Sequence, residues 1–351
     1  MRPDQLAIGV ISCERGAITQ RCLDSIRSCT VAPYHIYVVD NGSRSETTRS
    51  YLDQWEGQRD VTVKRLGNNH GPSAARNHIL DMAGGRHEVF AMLDNDIVVL
   101  NGWDRAIEPA LSEGFSVVQP KLLNPDRETV GRGPTRAWPV NWLVHPEYVG
   151  RGASRNAPEV RERRTVEIFG TAPVIHRKVF EATGRYDDRL WVSCDYDLCY
   201  RAAAAGFAAC YEPSCEMIHD HGYDFEYDQM RFDPLGALVS HALLWEKHKR
   251  LLLPHSAVRF YLYLVESNRP MFIPHKSRWD AFFARAWRRA VHGYFYRRYG
   301  EVWPSREAGE RATEDLLERL HSRFPALDYR QPPWTSVPER SQRPKSLQVS
   351  T

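Results

Sequence analysis

The chain has 351 residues, 42% hydrophobic and 26% charged, the proportions of an ordinary soluble globular protein. Its 47 Lys and Arg against 44 Asp and Glu leave a net charge of only +3, so no basic field points to nucleic acid as a partner. No apolar run approaches the roughly 18 residues of a membrane span, MRPDQLAIGVISCERG lacks the apolar stretch of a signal peptide, and the seven cysteines contain no CxxC, which argues against a disulfide framework or a common zinc site and for a reducing, cytoplasmic compartment.

The first hundred residues alternate strand-like and helix-like segments. Leu6–Ile11, Tyr34–Val39, Val61–Leu66 and Val89–Leu93 are apolar or β-branched runs. Between them lie stretches with helical spacing, such as Ile18, Cys22, Ser25, Ile26 and Cys29. This pattern predicts βαβ units on a mostly parallel sheet, with the loops that follow the strands gathered along one edge. Residues 120–160 are rich in proline and glycine and read as loop, with Trp138, Trp142 and Tyr148 indicating an ordered lid. Regular structure is expected again at Val166–Ile175. A helix is expected over Asp195–Ala205, ended by Gly206, and a strand over Phe207–Tyr211.

From about Leu235 the pattern is helical. Over 276–299 an aromatic stripe from Trp279 to Phe295 stands against seven basic residues and Asp280, about +6 in all (7 − 1). It reads either as a helix packed on the rest of the protein or as an interfacial helix on an anionic membrane, a peripheral contact at its inner face. The last ~20 residues are polar and rich in Pro and Ser, and are expected to be disordered. The expected division is an α/β domain over 1–233, in two parts, 1–120 and 121–233. A helical extension over 234–330 and a tail over 331–351 follow.

The sharpest constellation is Asp94-Asn95-Asp96 at the end of an apolar strand. Two carboxylates so placed suit Mg²⁺ or Mn²⁺ bridging a diphosphate. The same triplet is also good turn composition. Asp40, after Val38-Val39, ends another strand and either meets a ligand or caps a helix. Arg76, in Gly71-Pro72-Ser73-Ala74-Ala75-Arg76-Asn77, suits phosphate or base recognition, or is a solvated charge. The His219, Asp220, His221 and Asp224 group has no strong zinc spacing. There is no GxxxxGK[ST] loop and no GxSxG elbow.

Taken in order, VVDNGS, GPSAARN, LDND, FGTA, GRYDD, CDYDLCYR and a later histidine resemble the family 2 glycosyltransferases of GT-A fold, over roughly residues 6–225. The resemblance implies a Rossmann-like α/β sheet flanked by helices, forming a catalytic domain over 1–233 with nucleotide-sugar binding in 1–120 and the acceptor and base region in 121–233. It implies that Asp40 contacts the nucleotide base, with Ser12 near it, and that Arg76 helps hold the nucleotide. Asp94 becomes a ribose or metal-side contact and Asp96 the metal ligand. Asp195 becomes the general base, and His219 closes over the diphosphate or metal. Two departures stand out: Cys13-Glu14 replace the family's frequent Tyr-Asn, and Cys194-Asp195 replace its Glu-Asp pair. Asp197 is the alternative base, and Asp195 is preferred because the helical stretch follows it.

The expected function is therefore inverting transfer from a nucleoside-diphosphate sugar, UDP first and dTDP second, with Mn²⁺ or Mg²⁺. The acceptor is a hydroxyl on a glycan, a lipid-linked sugar, a protein or a small molecule. The competing readings are a sugar nucleotidyltransferase, whose Gly-rich phosphate loop Ser12-Cys13-Glu14-Arg15-Gly16 does not supply, and a non-catalytic glycan-binding protein.

Overall fold

The structure, a computed structural model, describes residues 6–136, 147–166, 168–191 and 193–220, together with Leu244, Lys247 and His248. The helical extension, the basic aromatic stripe, the tail, Trp138 and Trp142 lie outside the described residues.

The first half alternates strictly. Strands β1 (Leu6–Ser12), β2 (Tyr34–Asn41), β3 (Val61–Leu66) and β4 (Val89–Asp94) are separated by helices α1 (Gly16–Cys29), α2 (Glu46–Asp53) and α3 (Gly71–Ala83). A short β5 (Ile97–Val99) and α4 (Trp103–Ser112) follow, then β6 (Val117–Leu123), β7 (Val130–Arg132), β8 (Thr135–Arg136) and β9 (Glu147–Tyr148). Then come β10 (Arg164–Val166), β11 (Val174–His176), α5 (Arg177–Thr183), α6 (Cys194–Ala204) and β12 (Ala209–His219).

Strands β4, β1, β2 and β3 are neighbours and run parallel. Strand β11 enters antiparallel between β4 and β6, and β12 pairs parallel with β6. The register sets Ser12 opposite Asp40 and Ile11 opposite Asp94, so the carboxyl ends of β1, β2 and β4 share one edge. That edge is where open α/β sheets hold ligands.

Every residue of β1 is buried, as a central strand covered on both faces requires. Alternation divides it between two cores. Leu6, Ile8 and Val10 pack with Leu23, Leu52 and Ile107 from α1, α2 and α4. Ala7 and Ile11 pack with Ile79, Val179 and Leu198 from α3, α5 and α6. The result is a sheet between two helical layers.

Three expectations change. The proline-rich stretch begins inside a strand, because Pro120 sits opposite Glu212 where the β6–β12 ladder shifts register, so its missing N–H breaks little. Val166–Ile175 is two short strands joined by a corner in which Thr171 and Ala172 are left-handed (φ 48° and 66°). The strand begun at Phe207–Tyr211 runs on to His219 past the shift between Glu212 and Glu216, and beyond it pairs His219 with Ile97 of β5.

Gly9 sets the distance between α3 and β1. A Cβ there would lie 2.6 and 2.8 Å from the Cγ2 and Cδ1 atoms of Ile79. Gly9→Ala should therefore cost about 1–3 kcal/mol through overpacking. Denaturant unfolding would check this, and a loss within about 0.5 kcal/mol would show that Ile79 yields freely.

Candidate active site at the carboxyl edge of the sheet

The loop ahead of α3 is built by Asn41, the last residue of β2. Its amide donates to Asn69 Oδ1 (2.9 Å) and to the Gly71 carbonyl (3.1 Å), and its Oδ1 accepts from the His70 N–H (2.9 Å). Asp40 beside it is buried and accepts from the Ser43 N–H at 3.0 Å, closing the turn after β2. Glu14 ties the neighbouring loop to this one by accepting from the Arg44 and Ser45 N–H groups (2.6 and 3.0 Å). So Glu14, standing where the family often has Asn, has a definite bracing role.

Arg76 then projects from α3 into the sheet edge and is 3% exposed. Its Nη2 donates to Asp94 Oδ1 at 2.9 Å, and its Nη1 donates to Cys194 Sγ at 3.1 Å. Asp195 Oδ1 lies 3.7 Å from Nη1, and the Tyr186 ring lies below the guanidinium, 5.5 Å from its carbon. Burial works against this charge, but Asp195, Cys194 and Asp94 outweigh it and raise the pKa well above the ordinary value. Two further contacts bind α3 to the segment before α6. Ser73 Oγ donates to the Leu190 carbonyl at 2.5 Å, and Asn77 donates to the Tyr186 carbonyl at 2.9 Å.

The Asp94-Asn95-Asp96 triplet is a turn and a site at once: β4 ends at Asp94 and β5 starts at Ile97. The two carboxylates take different partners. Asp94 faces Arg76, while Asp96 lies 3.6 Å from the Arg15 guanidinium and 3.4 Å from His219 Nε2. Asn95 between them is buried and donates to Thr19 Oγ1 (2.9 Å), which in turn lies 3.0 Å from Ser12 Oγ. The Ser12 hydroxyl is fully buried and turned toward α1.

Asp96 and His219 fit a hard divalent cation. The carboxylate suits Mn²⁺ or Mg²⁺ and the imidazole favours the softer Mn²⁺ of the two, and ligand atoms of a six-coordinate sphere at about 2.1 Å sit about 3 Å apart. The 3.4 Å between Asp96 Oδ1 and His219 Nε2 is close to that spacing. Among the described residues no group of three or more His, Cys, Asp or Glu forms a complete cage. A cation here would draw its remaining ligands from substrate phosphate and water, the usual arrangement for Mg²⁺.

Asp195 stands in the first turn of α6, where the helix dipole favours a carboxylate. Its Oδ2 accepts from the Thr171 N–H at 3.4 Å, while its Oδ1 faces Arg76. Gly170 makes room for it, since a Cβ there would lie 2.7 Å from Asp195 Oδ2. Its side chain is 21% exposed. Asp197, two residues on, is wholly buried and takes Arg201 (2.7 Å), Lys247 (2.7 Å) and His248 (2.8 Å). Lys247 also reaches Asp187 at 2.8 Å. Asp195 is thus the accessible carboxylate and Asp197 an anchor for the residues around 247.

Arg76, Asp94 and Asp195 therefore form one group and Asp96 and His219 a second, joined through the Asp94–Asp96 turn, with Asp40 and Ser12 on the same sheet edge. Tyr186 and Arg15 belong to these groups and were not singled out from the sequence, while Cys194, noted there only as a departure, accepts from Arg76. The Asp-x-Asp turn and helix-borne carboxylate at the carboxyl edge of a parallel sheet define an α/β protein organised like the nucleotide-sugar transferases.

Known proteins agree. The family described as glycosyl transferase family 2 matches residues 7–184, and the chain belongs to that family. A pre-mycofactocin glycosyltransferase of Mycobacterium tuberculosis (strain CDC 1551 / Oshkosh) is 27% identical over 190 residues, which is 53% of this chain but only 37% of the relative. An N-acetylglucosaminyl-diphospho-decaprenol L-rhamnosyltransferase of the same organism is 24% identical over 266 residues, 68% of this chain and 81% of the relative. The crystal structure of GalNAc-T7 with UDP, GalNAc and Mn²⁺ superimposes with a TM-score of 0.54 at 18% identity, over 85% of this chain and 57% of that one. That likeness is one of fold, and the fold is the GT-A fold expected from the sequence.

The Asp197 anchor is pH-sensitive with a definite sign. Burial holds the His248 pKa below its ordinary 6.5, with Lys247 and Arg201 adding, and together they outweigh the hydrogen bond to Asp197. As pH falls, the unfolded chain protonates His248 first, so this contribution is full above about pH 6.5 and is lost below it. Burial raises the Asp197 pKa, but His248, Lys247 and Arg201 outweigh it and hold the group below the ordinary carboxylate range. Its contribution is kept above about pH 4 and lost on further acidification. Asp197→Asn takes the carboxylate from Arg201, Lys247 and His248 and should cost about 1–3 kcal/mol. Unfolding of wild type and variant from pH 8 to pH 3 checks these statements. Equal stability of the two proteins, or a wild type that gains stability on acidification, would contradict them.

Proposed function

We propose that the protein is an inverting, metal-dependent glycosyltransferase that moves a sugar from a nucleoside-diphosphate sugar to a hydroxyl acceptor, with Asp195 as the general base. The observation that carries this reading is the shared guanidinium. Arg76 holds Asp94 at 2.9 Å on the donor edge and lies 3.7 Å from Asp195, which keeps an accessible carboxylate.

Asp195 takes the proton of the acceptor hydroxyl as that oxygen forms a bond to C1 of the sugar. The bond from C1 to the diphosphate oxygen breaks, and its electron pair leaves with the diphosphate. One base suffices because inversion needs no covalent enzyme intermediate. Asp96 and His219 would hold Mn²⁺ or Mg²⁺, which when bound neutralises charge on the departing diphosphate. Asp40, Asp94 and Arg76 bind and orient the nucleotide, with Ser12 bracing the loop beneath it. A UDP-sugar is the first donor to test and a dTDP-sugar the second. UDP accompanies Mn²⁺ in the GalNAc-T7 structure, and the rhamnosyltransferase relative, by its name, acts on a diphospho-decaprenol-linked sugar, which supports a lipid-linked acceptor. Among the described residues no helix is long and apolar enough to cross a membrane.

Slow metal-dependent release of nucleoside diphosphate from a nucleotide sugar, without acceptor, separates a transferase from a glycan-binding protein. Asp195→Asn keeps shape but cannot take the proton, so turnover should fall about 10²-fold or more while donor affinity stays within about twofold. A variant with near-normal turnover on its acceptor would remove Asp195 as the base. Asp96→Ala should abolish the Mn²⁺ dependence of nucleotide binding in calorimetry, and unchanged Mn²⁺-dependent affinity would remove Asp96 as a ligand.

A further inference from the structure

The buried guanidiniums of the donor edge are matched by carboxylates, Arg76 by Asp94 and Asp195, and Arg15 by Asp96. Arg132, at the end of β7, differs. Its Nη1 donates to Thr171 Oγ1 at 2.8 Å, and its carbon stacks 4.8 Å from the Tyr148 ring. Its Nε is buried with no hydrogen-bond partner, as is that of Arg76, and what sets Arg132 apart is that no carboxylate pairs with it among the described residues. A half-buried cation left in this state costs free energy unless something else meets it.

Its location says what. The two oxygens of Asp195 face different directions: Oδ1 toward Arg76, Oδ2 toward the Thr171 N–H. Thr171 holds Asp195 through its backbone and Arg132 through its hydroxyl. Arg132 thus stands one residue from Asp195, linked through Thr171, while Arg76 meets the other oxygen of the same carboxylate. A reactant that reaches Asp195 from the Thr171 side passes the guanidinium. Thr171 keeps this relation in a left-handed backbone (φ 48°), a strained conformation tolerated where the surroundings require it.

We propose that Arg132, stacked on Tyr148, binds an oxyanion carried by the acceptor, a phosphoryl or carboxylate group near the reacting hydroxyl. A planar guanidinium with one face on an aromatic ring suits either oxyanion. The proposal deepens the transferase reading and rests on it for the word acceptor. It predicts that the enzyme prefers charged acceptors over their neutral counterparts.

The test is arginine-selective labelling of the full-length protein with phenylglyoxal, read residue by residue by mass spectrometry. Inorganic phosphate and acetate are the probes, in separate arms at matched ionic strength against chloride. At a probe concentration about tenfold above its Kd, labelling of Arg132 should slow about tenfold. Protection by phosphate names a phosphoryl acceptor, and protection by acetate alone names a carboxylate. Protection by neither overturns the proposal. A third arm adds UDP, dTDP or GDP with Mn²⁺: protection of Arg132 by the nucleotide would overturn it by assigning Arg132 to the donor. Arg132→Gln should lose the thermal stabilisation that the protective anion gives wild type, and retention of it would also overturn the proposal. Failure of wild type to bind or hydrolyse any nucleotide sugar would defeat the transferase reading and leave the anion result readable separately.

Discussion

The guanidinium of Arg76 is the tie on which the rest of the site depends. A charge only 3% exposed costs several kcal/mol in desolvation unless it is paired. The pairing available here comes from two ends of the chain: Asp94 closes β4, and Cys194 and Asp195 open α6 more than ninety residues later. Pairing one buried cation therefore brings the carboxylate that ends β4 and the accessible carboxylate of Asp195 to a fixed separation. Cys194 belongs to this account. Where the family has a second carboxylate, a neutral thiol accepts from Arg76, and burial pushes that thiol up to about 12, so it stays protonated.

Around that tie the backbone is bent where the chemistry needs it. Glu14, Arg15, Thr171, Ala172 and Ser193 all have positive φ without being glycine. They lie in the loops that deliver Arg15 to Asp96, the Thr171 N–H to Asp195, and α6 to the edge of the sheet. Such residues cost of order 1–3 kcal/mol each and persist where the surrounding structure over-determines them. Here the bracing is visible in Glu14 on the Arg44–Ser45 backbone and Ser73 on Leu190. Asp197 braces from behind, fastening α6 to Lys247 and His248 with the opposite face of the carboxylate-bearing turn left to Asp195.

Much of this was legible in the amino-acid order. The runs at Leu6 and Val89 became central parallel strands because residues buried on both faces must be continuously apolar, while Val61–Leu66, with Lys64 and Arg65, became the half-buried strand at the end of the row. Strand ends then placed Asp40, Asp94 and Asp96 together, and the family resemblance singled out Arg76, Asp195 and His219. What stayed hidden depends on contacts no local pattern encodes. The thiol of Cys194 meets Arg76 across 118 residues. Arg15, in a left-handed backbone, lies 3.6 Å from Asp96 across 81 residues. The Ser12 hydroxyl faces Thr19, a choice that strand alternation alone does not reveal. β12 outran its expected length because Pro213 lies in a register shift, not at a strand end.

If one guanidinium couples the end of β4 to the start of α6, weakening it must loosen both. Arg76→Lys keeps the charge but loses the fork that reaches Asp94 and Cys194 at once. Hydrogen exchange read by mass spectrometry on that variant is the most direct measurement. The account predicts faster exchange in both the peptide around Asp94 and the peptide opening α6 at Cys194–Asp197, with β2 and β3 unchanged. Faster exchange confined to α3, with the other two segments as protected as in wild type, would contradict it.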